Sequence, residues 1–417
     1  MRHLDRQNLY ALWETCFGDS PKFMQWFFEN RFYPAFSACA EEGGQILSAA
    51  HGCPMPVNIR GRIINAVMIA GIGTHPAARG KGAMRKTLEF LMQRLRDYGF
   101  TLALYTPADF EIYKGFLHYA TSDCVIAEAN AGSADGAGAE FFENVRSCDP
   151  QQISSELCAC YTKHIALRCS GAAVRSVADF KLKMADYQSD GAQVIYLQTQ
   201  CSAVSGINAV DINSGAAGDI KSDAVDDINS GVASGVNSGA AGDINGGAAG
   251  YIVYYNQPDK IYAPEAVFDG KNTARQLLGA LKALAGGKPV SVKLAPDFEV
   301  TSDGYNFNRM QKSISFPLDV AKLLQELALD GEATLLLSDG LIPQNRGLLK
   351  LNGERAPDSE RSRALELDCG RLMQWLSGYR TLKQLAQGGH VTGYSDSRHL
   401  ELSQKHGTLP CYIVDEY

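Results

Sequence analysis

The stretch that most limits this chain is 65–90, where the glycine-broken apolar run "NAVMIAGIG" leads into "THPAARGKGAMRKTLEF". Met84, Leu88, Leu91, Met92 and Leu95 fall at i, i+4, i+7, i+8 and i+11, the period of an amphipathic helix, and Gly99 is placed to end it. Arg79, Lys81, Arg85 and Lys86 crowd around Gly80 and Gly82, where that helix begins. A strand that passes through a glycine-rich turn into a helix presents free backbone N–H groups and the positive end of the helix dipole, which suits a phosphate. The phosphate is not held by a P-loop, because no GxxxxGK[ST] is present. A dinucleotide fingerprint fails as well: Gly71 and Gly73 precede the turn, and no third glycine falls in register.

Bulk composition narrows the remaining classes. A length of 417 residues implies two to three domains with ample core. A net charge of −7 disfavours a dedicated nucleic-acid binder, so any basic site is local. No apolar stretch approaches membrane-spanning length and the N-terminus has no signal-peptide core, so neither nucleic acid nor a membrane is an expected partner. The 11 cysteines are scattered without a CxxC pair, and Cys158 and Cys160 form only a CxC on an expected helix. That pattern fits reduced thiols in a cytoplasmic protein and no metal site.

Along the chain, residues 1–130 read as alternating helix and strand. Two aromatic-rich helices, "NLYALWETCFG" and "PKFMQWFFENRF", precede three strand candidates within 36–73, then the glycine-rich turn and the amphipathic helix that carries Met84 to Leu95, the strand "TLALYTP" and the short helix in "ADFEIYKGFLHYA". A small-residue linker is expected at 131–139. Residues 140–304 carry helical and strand segments around a low-complexity block, 202–250, in which "NSGAAGDI" occurs twice. Its composition cannot bury enough apolar surface to offset ordering, so it reads as a surface insertion. Residues 305–417 read as a further domain, opening on the helix "PLDVAKLLQELAL" with Pro317 near its first turn. It ends on the apolar, strand-like "LPCYIVDEY".

Taken in order, "GIGTHP", "RGKGAMR" and "IYKGF" resemble the GNAT acetyltransferases, and within them the Eis type (enhanced intracellular survival). The resemblance is specific over about 60–120 and extends in architecture to the whole chain. It implies an α/β (α+β) fold of tandem GNAT-like domains followed by a sterol-carrier-protein-like domain. It departs from the family at Met84, where many loops have a smaller residue, and at "FLHY", which stands for "FGY". The 140–304 region has no second pyrophosphate loop.

The resemblance implies that Ile72, Gly73 and Thr74 offer backbone groups to the pantetheine of acetyl-CoA. Gly80, Lys81, Gly82, Ala83, Met84 and Arg85 would surround the pyrophosphate, with Arg79 assisting. Tyr113 matches the general acid that protonates the departing thiolate, and Tyr119 is the neighbouring packing tyrosine. Among bases, His51, His75 and His118 can each be considered from the residues alone, whereas the family assigns the C-terminal carboxylate, here that of Tyr417. Asp415 and Glu416 would form an acidic patch that draws in a cationic amine. The implied acceptor is a primary amine on a small molecule, with aminoglycosides as the family example, and a homo-oligomer is implied by analogy. The alternatives are a protein lysine or N-terminus as acceptor, and a non-catalytic CoA or lipid sensor.

Overall fold

The computed structural model describes residues 6–130, 144–199, 247–298 and 304–416. The expected linker at 131–139 and all but the end of the 202–250 block lie outside the described residues. The end of that block, from Ala248, already belongs to a core strand.

Helices α1 (Arg6–Cys16) and α2 (Pro21–Asn30) bury Leu9, Leu12, Trp13, Met24, Phe27 and Phe28 on one face of a sheet. Ser20 caps α2 by accepting from the Phe23 amide at 3.0 Å, with Pro21 in the first turn, where its missing N–H loses nothing. Strands β1 (Ser37–Glu42) and β2 (Gln45–Pro54) turn through Gly43 and Gly44. Where three strands were expected there are five, because Arg60-Gly61 makes a separate hairpin of β3 (Val57–Ile59) and β4 (Arg62–Ile64) before β5 (Ala66–Thr74). Arg60 holds a left-handed φ of 52°. Its guanidinium donates to the carbonyls of Trp375, Leu376, His406 and Gly407, which ties this hairpin to the far end of the chain.

Helix α3 (Ala83–Asp97) crosses to β6 (Leu102–Tyr105), which pairs parallel with β5 over Ala66–Met68. The short α4 (Glu111–Lys114) and β7 (Ser122–Ala129) follow. The second unit repeats this plan. After β8 (Val145–Cys148), α5 (Ser154–Tyr161) and α6 (Val177–Ser189) come β9 (Gln193–Gln198), β10 (Ala248–Asn256) and β11 (Ile261–Phe268). Helix α7 (Lys271–Leu284) then leads to β12 (Val290–Leu294), parallel to β11 over Ile261–Ala263.

One 11-stranded sheet joins both units in the order β1-β2-β5-β6-β13-β7-β12-β11-β10-β9-β8. Strand β13 (Asn306–Pro317) pairs with β6 through Ile314–Pro317 and with β7 through Asn306–Ser313, while β7 pairs in turn with β12. Each half is therefore completed by a strand from the other half's end of the chain. Pro317 is the last residue of this strand and not part of the next helix, whose N-cap is Asp319.

The remaining residues form α8 (Val320–Leu327), β14 (Thr334–Ser338), β15 (Gly347–Lys350), β16 (Leu365–Asp368), α9 (Cys369–Leu376), α10 (Leu382–Gln387) and α11 (Asp396–Lys405). Their three-stranded sheet, β15-β14-β16, shares one apolar core with α1 and α2. With β13 in the large sheet, we place the start of this third unit near Leu318. Among the described residues no helix is long and apolar enough to cross a membrane, and every described cysteine is a free thiol.

Candidate active site

Strands β5 and β6 part after the Met68–Leu104 pair: β6 ends at Tyr105, whereas β5 runs on to Thr74, still paired with β2 on its other side. The parting opens a wedge edged by β5 backbone, which is where Ile72, Gly73 and Thr74 lie. Gly71 bends the strand with a φ of 56°, and the register against β2 shifts between Ala49 and His51. A Cβ at Gly71 would stand 2.2 Å from the Trp13 ring, so the indole occupies the space that glycine leaves.

Beyond the wedge, His75 accepts from the Ala77 amide and a single 3₁₀ turn reaches Arg79, whose Nε donates to the Thr74 carbonyl at 3.3 Å. Gly80 and Gly82 then take φ of 75° and 80°, and a Cβ at either would meet no protein atom. Conformation, and open space in front of the backbone, call for glycine here. The amides of Gly80, Gly82, Ala83, Met84 and Arg85 have no acceptor among the described residues, and α3 has neither a side-chain cap nor an acid in its first turn. An orphaned, uncapped helix start flanked by exposed Arg79, Lys81 and Lys86 fits a diphosphate. The Arg85 side chain is directed elsewhere. It donates to the carbonyls of Gly115 and Gly340, so only its backbone N–H faces this task.

The equivalent place in the second unit is closed. Asp269 stands at the start of α7 and accepts from the Thr273 hydroxyl, setting a negative charge where a phosphate would have to sit. On β11 beyond the parallel pairing lies buried Glu265, which is consumed by an ionic network described below.

Tyr113, on α4, is buried, and its hydroxyl has no partner among the described residues. Its ring lies 4.4 Å from that of Tyr105 at the end of β6. Burial pushes the Tyr113 phenol up to about 12. Behind it, the Tyr105 hydroxyl bonds His118 Nδ1 at 2.7 Å, and the imidazole stacks on Phe316 at 4.2 Å. Burial, with the nearby Arg85 charge, pulls His118 down to about 3, and burial alone does the same to His51, which is enclosed by Trp13, Phe27, Phe28 and Phe32. Neither imidazole readily takes up a proton at neutral pH, and His75 is spent as a cap. His51 and His118 are thus structural. Tyr119 packs as expected, against Arg371.

The chain end docks, as its apolar composition suggested, but its β-pairing is a single isolated bridge, Cys411 to Ser170, and not a strand. Tyr412, Ile413, Val414 and Asp415 are buried. The expected acidic patch is absent. Asp415 accepts from Arg175 at 3.1 Å, and Arg175 also forks onto Glu265 at 2.9 and 3.0 Å. Glu265 further accepts from the Tyr251 and Tyr187 hydroxyls. Glu416 pairs with Lys293 at 2.8 Å and Lys312 at 3.0 Å, and its carbonyl lies 3.4 Å from Lys183 Nζ. Asp415 is committed inside the protein, and Glu416, partly exposed, is committed to the two lysines that the tail passes. Tyr417 lies outside the described residues. Arg175, Glu265, Lys293 and Lys312 were not anticipated: no local motif marks them, since their partners are distant in sequence.

Residues 1–117 match the acetyltransferase (GNAT) domain family, and residues 320–405 match the sterol carrier protein domain family. No curated protein matches the chain in sequence. Several solved structures share the fold over nearly the whole length. One is a conserved protein of unknown function from Enterococcus faecalis V583, a probable N-acyltransferase, 13% identical with a TM-score of 0.72 over 99% of this chain and 97% of that one. Another is a GCN5-related N-acetyltransferase from Anabaena variabilis ATCC 29413, 15% identical with a TM-score of 0.72 over 100% and 99%. Eis1 from Mycobacterium abscessus is 13% identical with a TM-score of 0.65 over 100% and 98%.

Proposed function

We propose that this chain, whose residues 1–117 match the acetyltransferase (GNAT) domain family and whose fold is shared with Eis1 from Mycobacterium abscessus, transfers an acetyl group from acetyl-CoA to a primary amine of a small molecule. The observation that carries this reading is the uncapped start of α3 beside the β5/β6 wedge. Five orphaned amides and two left-handed glycines await an anion at the end of a strand with free backbone edge. Acetyl-CoA supplies the activated acyl group. The protein's part is to hold the diphosphate at Gly80–Arg85, to lay the pantetheine along Ile72–Thr74, and to place the thioester near Tyr113.

In that arrangement the amine nitrogen bonds to the acyl carbon as the C–S bond breaks. The nitrogen gives up a proton to a base, and the sulfur takes one from the Tyr113 phenol. With the phenol at about 12 against a thiol near 8.5, complete transfer is uphill by roughly 3.5 units, or ~5 kcal/mol. Tyr113 therefore acts first as a hydrogen-bond donor to the developing thiolate, with the proton following as charge builds on sulfur. For the base we propose the Tyr417 carboxylate, supported by a tail held in place as far as Glu416 and by the burial of His51 and His118. A cytoplasmic location and a homo-oligomer belong to the same reading.

Thiol release from acetyl-CoA, with and without a panel of amines that includes aminoglycosides and lysine peptides, tests the activity and separates the acceptor classes. Acetyl-CoA binding without thiol release for any amine would instead support a sensor. In the cofactor site, Gly82→Val should weaken acetyl-CoA binding by calorimetry at least ~10-fold, because the side chain disfavours the left-handed turn and fills the space before the amides. Unchanged affinity in a folded variant would remove the site from this loop. At the chain end, a C-terminal extension should leave acetyl-CoA binding and the melting temperature near wild type but lower kcat about 10-fold or more. A matching N-terminal tag should do neither, and equal rates for the two would assign the base elsewhere.

A further inference from the structure

Between Tyr113 and β7 the chain makes a tight turn, Gly115–Ala120, whose own amides hold the Tyr113 backbone: Phe116 N and His118 N both donate to the Tyr113 carbonyl, at 3.0 and 3.3 Å. Any shift of this turn is therefore passed to Tyr113. Leu117 adopts a left-handed φ of 62°, a conformation disfavoured for a residue with a Cβ that persists only where the surroundings dictate it.

The surroundings that dictate it belong to the third unit. The Phe116 carbonyl faces Gly340, where a Cβ would stand 2.6 Å from the oxygen, and the Leu117 carbonyl faces Gly370 in the first turn of α9, where a Cβ would stand 2.0 Å away. Neither glycine has a left-handed φ, so close approach of backbone to backbone, not conformation, calls for glycine at both. Arg85 bridges the Gly115 and Gly340 carbonyls at 3.1 and 2.9 Å. Arg371 lies 3.7 Å over the Tyr119 ring, and Gln374 donates to the Ala120 carbonyl at 2.8 Å. Loop and helix of one unit thus grip the turn of another along most of its length.

We infer that the third unit is a positioning platform for Tyr113, with Gly340 and Gly370 as the positioning residues that set where the phenol stands relative to the wedge. This rests on the reading of Tyr113 as proton donor. The unit that matches a sterol carrier domain then serves the reaction through packing against the turn. A misplacement of about 1 Å at a reacting group can lower a rate by roughly 10²-fold, and a Cβ at Gly370 requires a displacement of that size.

The experiment uses the full-length protein with Gly340→Ala and Gly370→Ala, measuring kcat, acetyl-CoA affinity and amide hydrogen exchange over 110–120. The expected result is a kcat lower by about 10- to 100-fold, acetyl-CoA affinity within about 3-fold of wild type, and faster exchange in that segment. Adding Leu117→Gly to Gly370→Ala should recover part of kcat, because a glycine lets the turn yield. As a control, Leu385→Ala, which cuts the core of the third unit away from the turn, should lower the melting temperature with little change in kcat. Should a glycine variant fail to fold, Arg371→Met tests the same grip more gently, with an expected kcat loss of about 3- to 10-fold. Folded variants with wild-type kcat and unchanged exchange would overturn the platform. A wild type that releases no thiol would overturn the acetyltransferase reading itself, and a fully active Tyr113→Phe would overturn the role of Tyr113 on which the platform rests.

Discussion

Tyr113→Phe is expected to lower kcat by roughly 10²- to 10⁴-fold while acetyl-CoA affinity stays within a few-fold of wild type, the range for removing a group that delivers a proton in the transition state. The clean reading of this variant comes from its surroundings. The Tyr113 ring is packed against Tyr105 and within reach of Phe116, and Phe keeps all of those contacts. The hydroxyl has no partner among the described residues, so its loss strands no donor or acceptor inside the protein. Stability should therefore change little, and a thermal melt checks this. Burial holds the phenol at about 12, so it stays in its acid form through the physiological range, and its own titration should not limit kcat below about pH 10. Near-wild-type turnover in Tyr113→Phe would move the proton donor to another group. The nearest phenol, Tyr105, is already committed to His118 at 2.7 Å and is a poor substitute.

The turn at 79–85, helix α3 and the Tyr113 segment were legible because each is local: glycine positions, basic residues and an apolar period of 3.6 all sit within one stretch of chain. The exchange of β7 and β13 was not. Its first half, "NFNRMQK", is mostly exposed and polar, so the strand has no apolar signature there, and its partner β6 is some 200 residues earlier. Arg85 illustrates a second limit. Its position in a basic loop suggested an anion, yet a long side chain three residues into a helix also reaches a neighbouring carbonyl, and the choice depends on Gly340, far along the chain. Leu117 is the converse case. "FLHY" departs from the family pattern by placing leucine where that pattern has glycine, and Leu117 itself takes a left-handed conformation. Asp415 and Glu416 read as an acidic patch for a cationic amine because terminal charges ordinarily face solvent. Arg175, Lys293 and Lys312 decide otherwise, and nothing near residue 415 announces them.

Those cations carry the second large effect. Arg175→Met should destabilise the fold by roughly 3–5 kcal/mol, because it leaves Glu265 and Asp415 buried without their shared counter-charge. Arg175→Lys keeps the charge but not the fork that spans two carboxylates, so an intermediate loss is expected. Adding Glu265→Gln to Arg175→Met should recover part of the stability by removing one uncompensated carboxylate, which a purely steric role for Arg175 would not allow. The same tail makes the fold acid-sensitive. Burial alone would raise Glu416, but Lys312 and Lys293 carry it down to about 2, and Arg175 likewise overcomes burial to lower Asp415. A carboxylate with a depressed folded-state pKa stabilises above its ordinary value, and that stabilisation fades as pH falls toward the folded value. The tail's contribution should therefore be complete at neutral pH and lost between about pH 4.5 and 2. Melting curves of wild type and Glu416→Gln should differ at pH 7 and converge near the acid end of that window. If they run parallel throughout, Glu416 is not stabilised by its lysines. If Arg175→Met melts like wild type, the tail is held by its apolar side chains alone, and the ionic cluster does not anchor the chain end.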